Sequence, residues 1–291
     1  MYNAIIKNEF IPNYILKDFS SWKIGGPAEF FYYPRTVNDL VAVLKTFTLK
    51  KITFLGAATN VLIDDRGVTG LVICLSRYLS NIKRIYNDTF IVEAGVKLNY
   101  LAYKFAEFGM IDAVFMAGIP GTLGGALKMN AGAYGKSIWD YVKRVSMINI
   151  YGEINIRYKK DFQIEYRKVH NSIMQEWFLN ATLSFTPGDP EIAKKQSKIY
   201  LNNRYKSQPL NFPNCGSVFR NPPNQYAAKL IESSGLKGVK FGGAMVSEKH
   251  ANFIINYNNA KSSDIINLID VIIVKVKKLH NITLIPEVHI L

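Results

Sequence analysis

Three segments between residues 142 and 185, VKRVSMINI, INIRY and WFLNATLSF, alternate apolar and polar positions with no helical stretch between them. A period of two is the pattern of half-buried antiparallel strands. Elsewhere strands and helices mix without regular strand–helix–strand alternation, so the chain reads as α+β rather than as a doubly wound parallel sheet. Its 291 residues suffice for roughly two domains, and 48% hydrophobic against 20% charged residues excludes a disordered chain. No apolar run approaches the ~20 residues of a membrane span. The N-terminal MYNAIIKNEFIPNYILKDF mixes charges with short apolar pairs, unlike a signal peptide, so a cytoplasmic protein is expected.

Punctuation supplies the other elements. AEFFYY (28–33) reads as a strand closed by Pro34, and Thr36 can cap a helix with Val37, Leu40, Val41, Leu44 and Phe47 on one face. ITFL (52–55) and GLVICL (70–75) read as short buried strands, with a hairpin across Asn87-Asp88 after them. A helix runs from Leu98 to a left-handed stop at Gly109. TPGDP (186–190) is the strongest break and is taken as the domain boundary, dividing 1–186 (lobes of about 1–75 and 76–186) from 187–291. Beyond it lie a polar helix over 191–206, a Pro/Asn-rich loop over 208–224 and a helix ending at Gly235. A long amphipathic helix then starts near Ser263, and the strand-like TLIPEVHIL closes the chain.

Charge narrows the partners. The net charge is +14, and lysine supplies 27 of the 36 basic residues, spread over the whole chain rather than gathered into a stripe. Such a field attracts small polyanions as well as it attracts nucleic acid, so no nucleic-acid partner is expected. The two cysteines and four histidines offer neither a disulfide framework nor a ligand spacing, so no metal is expected.

Two glycine-bearing loops carry the strongest chemical signal. AGIPGTLGGALKMNAGAYG (117–135) holds six glycines and turns at Pro120 into a helix that begins near Thr122. Glycines let backbone approach a ligand closely, and a helix start offers amides to a phosphate; tight packing through Gly124, Gly125 and Ala126 is the competing explanation. GAATN (56–60) directly follows the strand ITFL. Two such loops in a basic chain suggest a pyrophosphate held from both sides. There is no G-x-G-x-x-G fingerprint, and Gly135-Lys136-Ser137 lacks the first glycine of a P-loop.

Isolated polar residues complete the candidates: Ser217, Arg220 and Asn221 in NCGSVFRNPP, the Tyr166-Arg167 pair, Glu287 inside LIPEV, and His250 ahead of an apolar strand. Each also has an ordinary structural explanation, as a loop, a surface pair, an edge or a satisfied rim histidine. Cys215 has no histidine near it in sequence and is not read as a nucleophile.

Taken together and in this order, SWKIGGPAEF, GAATNVLIDDRGVTGLVI, GIPGTLGGALKMNAGAYG, YR, CGSVFRNP, GLKGVKFGGAMVSEKHANFIIN and LIPEV resemble the UDP-N-acetylenolpyruvoylglucosamine reductases over nearly the whole chain. The resemblance implies a two-lobed FAD-binding domain of the vanillyl-alcohol-oxidase/PCMH type over 1–186. A smaller α+β substrate-binding domain would follow over 187–291, its last strand returning to the active site. Non-covalent FAD would lie between Gly56, Ala57, Ala58, Thr59 and Asn60 on one side and Gly118, Ile119, Gly121, Thr122, Gly124, Gly125 and Ala126 on the other. The short stretch between Arg167 and Arg204 resembles the shorter, type II form. Where the family commonly has G-(G/A/N)-G-S-N, this chain has alanine at both 57 and 58.

The activity so implied uses NADPH to reduce the flavin, then a UDP-sugar enolpyruvyl ether in the same cleft, giving UDP-N-acetylmuramate for peptidoglycan. Hydride goes to C3 of the enolpyruvyl group and a proton to C2. By the resemblance Arg167 and Glu287 hold the charge that develops on the adjoining carboxylate, and Ser217 gives the proton, with Arg220 or a water chain restoring it. Tyr166, Arg204, Asn221 and His250 would bind the UDP diphosphate and carboxylate. The expected protein is a monomer. The alternatives are a related FAD-dependent sugar or alcohol oxidase or dehydrogenase and, from a different class, a basic RNA-binding protein.

Overall fold

A computed structural model describes residues 10–47, 51–171 and 175–291. Residues 1–9 of the N-terminal stretch read for a signal peptide lie outside the described residues. The chain forms two compact units, one of residues 1–12, 30–57 and 70–202 and one of 13–29, 58–69 and 203–291. This grouping differs from a single cut after TPGDP. Two early segments join the C-terminal unit, and the helix Pro190–Ser207 continues past the break, so that its last residues count with the second unit. A linear scan for breakers sees only chain-local signals, whereas compactness depends on contacts between distant segments.

In the first unit the alternating segments form a five-stranded antiparallel sheet. Its order is Ile154–Tyr158, Val142–Asn149, Glu176–Ser184, Thr89–Glu93, Ile82–Arg84. Phe90, Val92, Val145, Met147, Ala181 and Leu183 are buried in one core with Leu98, Leu101 and Phe105 of the helix Leu98–Glu107 and with Leu123 and Leu127 of the helix Leu123–Met129. Full burial of such side chains is worth about 1.5–3 kcal/mol each. Thr36 caps the helix Val37–Thr46 through a reciprocal bond with Asp39, and Gly109 ends the helix region before it at φ +74°, both as the sequence implies. Ile52–Leu55 pairs in parallel with Val68–Cys74, setting Leu55 opposite Cys74. A hairpin of Phe162–Glu165 and Lys168–Asn171, joined by Tyr166 and Arg167 alone, was not legible in the alternation.

In the second unit the helix Ser262–His280 buries Ile265, Leu268, Ile269, Ile272 and Val276 in a core shared with Trp22, Leu62, Val218, Phe219 and Ile231. A three-stranded sheet, Lys240–Phe241, Ala244–Val246 and Ile254–Asn256, joins that core. Trp22 is tied in by its indole N–H, which donates to the Ile254 carbonyl at 2.8 Å, and by its own carbonyl, which accepts from the Asn256 side chain at 2.9 Å. The C-terminal segment is less regular than its pattern suggests. Only His289–Ile290 is a strand, parallel to Val61–Leu62, because Pro286 has no amide to extend a ladder and makes a single bridge to Phe219.

Candidate active site

The two glycine loops meet within the first unit. Gly56 follows the strand Ile52–Leu55, and a Cβ built on it would lie 2.5 Å from the Thr122 hydroxyl. Only glycine allows that approach. Beneath it the Cys74 thiol donates to the Gly56 carbonyl at 3.3 Å and contacts the Ser76 hydroxyl at 3.1 Å; burial raises the thiol's pKa, so it stays protonated.

The 118–126 segment differs from a helix-terminus cradle. The Leu123 and Gly124 amides donate to Val96 and Ala94 carbonyls at 2.9 and 2.8 Å, and the Gly125 amide turns to the Thr122 hydroxyl at 3.5 Å. The first amides of the helix are therefore engaged by protein. Gly124 is glycine for packing, since its Cβ would come 3.1 Å from that of Ala94. What remains is the turn ahead of the helix: Gly118 and Gly121 at φ +81° and +107°, whose amides, with that of Thr122, make no hydrogen bond among the described residues. Loop amides without partners beside a glycine-thriftily packed wall suit a pyrophosphate. On these observations the residues present fit FAD.

Ala58 sits at φ +47° and is buried, with its carbonyl accepting from the Ser21 amide at 3.2 Å. A side chain in that region costs roughly 1–2 kcal/mol, so the loop keeps a glycine-like shape with a methyl in place.

Arg167 is held at its guanidinium. It donates to the Gly132 carbonyl at 2.8 Å and to that of Asn130 at 3.5 Å, and it lies 5.3 Å from the centre of the exposed Tyr166 ring. Its backbone is left-handed, at φ +58°, in the two-residue turn of its hairpin. Asn130, the left-handed cap of the helix Leu123–Met129, binds that hairpin from below by donating to the Glu165 carbonyl at 3.1 Å. A strained arginine held by carbonyls at its head fits a site where a fixed positive charge is needed.

Ser217, Glu287 and Asn60 converge in the second unit. The Glu287 amide donates to the Val218 carbonyl at 2.7 Å, and the Arg220 amide to the Ile285 carbonyl at 3.0 Å, so CGSVFR and LIPEV run side by side. Asn60 donates from its side chain to the Glu287 carbonyl at 3.2 Å and accepts the His289 amide at 3.1 Å. The far end of the GAATN loop is thus tied to the terminal carboxylate residue. Gly216, at φ +81°, would direct a Cβ into open space, and the half-buried Ser217 hydroxyl beside it makes no hydrogen bond among the described residues. Cys215 is buried, and burial first, then the charge of Glu287, pushes its thiol well above the usual range, so it is no nucleophile. Arg220 has its Nε buried without a partner among the described residues.

The remaining candidates divide. Asn221 is engaged structurally, accepting the Ala227 amide at 3.0 Å at the start of the helix Ala227–Ser233. His250 accepts the Asn252 amide on Nδ1 at 3.3 Å, and burial lowers its pKa, so it is a neutral donor rather than a cation. Arg204 stands half-buried near the end of the helix Pro190–Ser207. Sequence reasoning passed over Asn252, whose only signal is its place two residues after His250 in KHANF.

Comparison with known proteins covers the same segments. The FAD binding domain family matches residues 28–156, which include both glycine loops. The C-terminal domain of UDP-N-acetylenolpyruvoylglucosamine reductase matches residues 208–291, which include Ser217 and Glu287. The reductase of that name from Nitrosococcus oceani is 43% identical over 276 residues, 94% of this chain and 92% of the relative. The chain belongs to the UDP-N-acetylenolpyruvoylglucosamine reductase family. The Legionella pneumophila (strain Paris) reductase is 44% identical over 278 residues, 95% of this chain and 91% of its own. The crystal structure of the Thermus caldophilus reductase superposes with a TM-score of 0.80 at 29% identity, over 97% of this chain and 98% of that one. Tyr166, Arg167 and Arg204 lie between the two matched ranges.

Proposed function

We infer that this protein is an FAD-containing, NADPH-dependent reductase acting on the enolpyruvyl ether of UDP-N-acetylglucosamine-enolpyruvate. The product is UDP-N-acetylmuramate, a peptidoglycan precursor. The observation that carries this reading is the 43% identity to a reductase of that name along 94% of the chain. The convergence of CGSVFR on LIPEV supports it. The net reaction adds a hydride at C3 and a proton at C2 of the substrate double bond, while NADPH becomes NADP⁺.

FAD, held non-covalently at Gly56–Asn60 and the Gly118–Thr122 turn, supplies hydride transfer when bound. The chain's own residues supply charge and the proton. Arg167, its guanidinium braced by the Asn130 and Gly132 carbonyls, offers a positive charge to the substrate carboxylate as negative charge builds there. Glu287 meets the same carboxylate through a shared proton, since a second bare carboxylate would repel it. Ser217 gives its hydroxyl proton to C2 and is reprotonated through Arg220 or a water chain. Tyr166, Arg204, Asn221 and His250 bind the UDP-sugar, with Asn221 and His250 limited to the groups their structural bonds leave available. Residues 1–186 serve the cofactor and 187–291 the substrate, a division supported by the two matched ranges. The working protein is a monomer in the cytoplasm; no described helix is long and apolar enough to cross a membrane.

The test is the absorption spectrum of the purified protein followed by NADPH and then substrate. A flavin spectrum bleached by NADPH and restored anaerobically by the UDP-sugar enolpyruvyl ether is expected, with UDP-N-acetylmuramate as product. Reoxidation by oxygen with no response to NADPH would instead indicate a sugar or alcohol oxidase.

A further inference from the structure

We propose that Asn252 is the positioning residue of the proton donor, its side-chain amide standing in for a strand beside the Ser217 segment. The segment Val218–Phe219 has neighbours on both sides. On one side the Glu287 amide donates to Val218 and the Arg220 amide to Ile285. On the other side no regular strand runs among the described residues; Asn252 takes its place. Its Oδ1 accepts the Phe219 amide at 3.0 Å, its Nδ2 donates to the Phe219 carbonyl at 2.8 Å, and its main-chain carbonyl accepts the Val218 amide at 2.9 Å.

One side chain thus closes both hydrogen bonds of a single residue, the paired exchange that two antiparallel strands make. Asn252 is 4% exposed and Phe219 1%, so neither bond competes with water. Its own amide is fixed by Nδ1 of the neutral His250. The hydroxyl of Ser217, two residues from the clamp, has no hydrogen bond among the described residues, so its place is set by the backbone that Asn252 and residues 285–287 hold. A donor that must meet one carbon atom is sensitive to displacement, and a misplacement of about 1 Å can cost about 100-fold. This inference rests on the role of Ser217 given under Proposed function.

The experiment uses full-length, FAD-loaded protein with Asn252→Ala and Asn252→Asp. In Asn252→Ala the main-chain bond from Val218 and the 285–287 pairing remain, so the fold is kept while the clamp is lost. Amide hydrogen exchange at Phe219 is expected to accelerate at least about tenfold, as for any buried bond opened to water. Flavin reduction by NADPH should stay within about twofold of wild type, and reoxidation by the enolpyruvyl substrate should slow about 100-fold with a larger solvent deuterium isotope effect. Asn252→Asp keeps the acceptor for the Phe219 amide and loses the donor to its carbonyl, so exchange should stay slow there while reoxidation still falls. Unchanged exchange in Asn252→Ala, or reoxidation at wild-type rate, overturns the proposal; so does an equal loss in both half-reactions, which marks a merely structural role. Ser217→Ala is measured beside them: slow reoxidation there with normal rates in the Asn252 variants sinks only the clamp, and wild-type reoxidation there sinks the proton-donor role itself.

Discussion

Arg167 and Ser217 are fixed by different parts of themselves. The arginine is held at its guanidinium by two carbonyls, on a backbone bent into the left-handed region. The serine has a hydroxyl without a hydrogen bond among the described residues, on a backbone held through Val218 and Phe219. The difference matches the roles proposed for them. A group that stabilises charge works best when its head cannot reorganise, whereas a group that gives up and regains a proton must leave its head available.

The widest break in that comparison comes at Ser217. Ser217→Ala should leave flavin reduction by NADPH intact and cut substrate-driven reoxidation by about 10²–10⁴-fold, the range for a lost general acid. Ser217→Cys should regain part of the rate. Stopped-flow reoxidation at wild-type rate in the alanine variant would show that the open hydroxyl is no donor.

Removing a fixed head should cost less than removing the donor. Arg167→Ala and Glu287→Gln should each lower turnover by about 10²–10³-fold, as when one transition-state contact is lost. Both should bind FAD normally and be reduced at near-normal rates. Arg167→Lys should recover little, because an ammonium cannot fork across the Asn130 and Gly132 carbonyls. Slow flavin reduction in these variants would assign the residues to the NADPH half-reaction.

Backbone placement can be challenged at the cofactor loop as well. Gly121 sits at φ +107°, where a branched side chain is strained by about 1–3 kcal/mol and occupies the turn. Gly121→Val should lower bound flavin at least about tenfold, a loss of about 1.4 kcal/mol, with far-ultraviolet dichroism unchanged. In the wild type, acid precipitation should release the flavin into the supernatant. Full flavin content in the variant would remove the turn from the cofactor site.

The smallest effect concerns pH. Burial lowers the pKa of His250 in the folded protein below the roughly 6.5 of an unfolded histidine. Its contribution to stability is therefore complete above about 6.5 and is lost as pH falls through the folded value, because protonation favours the unfolded chain. Melting temperatures should decline over that window and decline less in His250→Gln. Parallel curves for the two proteins would show that the buried His250 does not set this slope.

The sequence by itself determined those features whose causes are local. The Thr36 cap, the Gly109 stop, the three alternating strands and the long apolar face from Ile265 to Val276 follow from residues a few positions apart. The motifs also named Gly56, Arg167, Ser217 and Glu287 as candidates. Tertiary structure decided which of them meet. Only the folded chain ties Asn60 to Glu287 across 227 residues and Asn252 to Phe219 across 33. It engages the amides of the helix at Leu123 with carbonyls from 94–96, while those of Gly118, Gly121 and Thr122 in the turn before it have no partner among the described residues. It also recruits residues 13–29 and 58–69 into the C-terminal unit. Hydrogen bonds and burial between segments far apart in the chain leave no period or spacing in the sequence, so they become definite only when the backbone closes on itself.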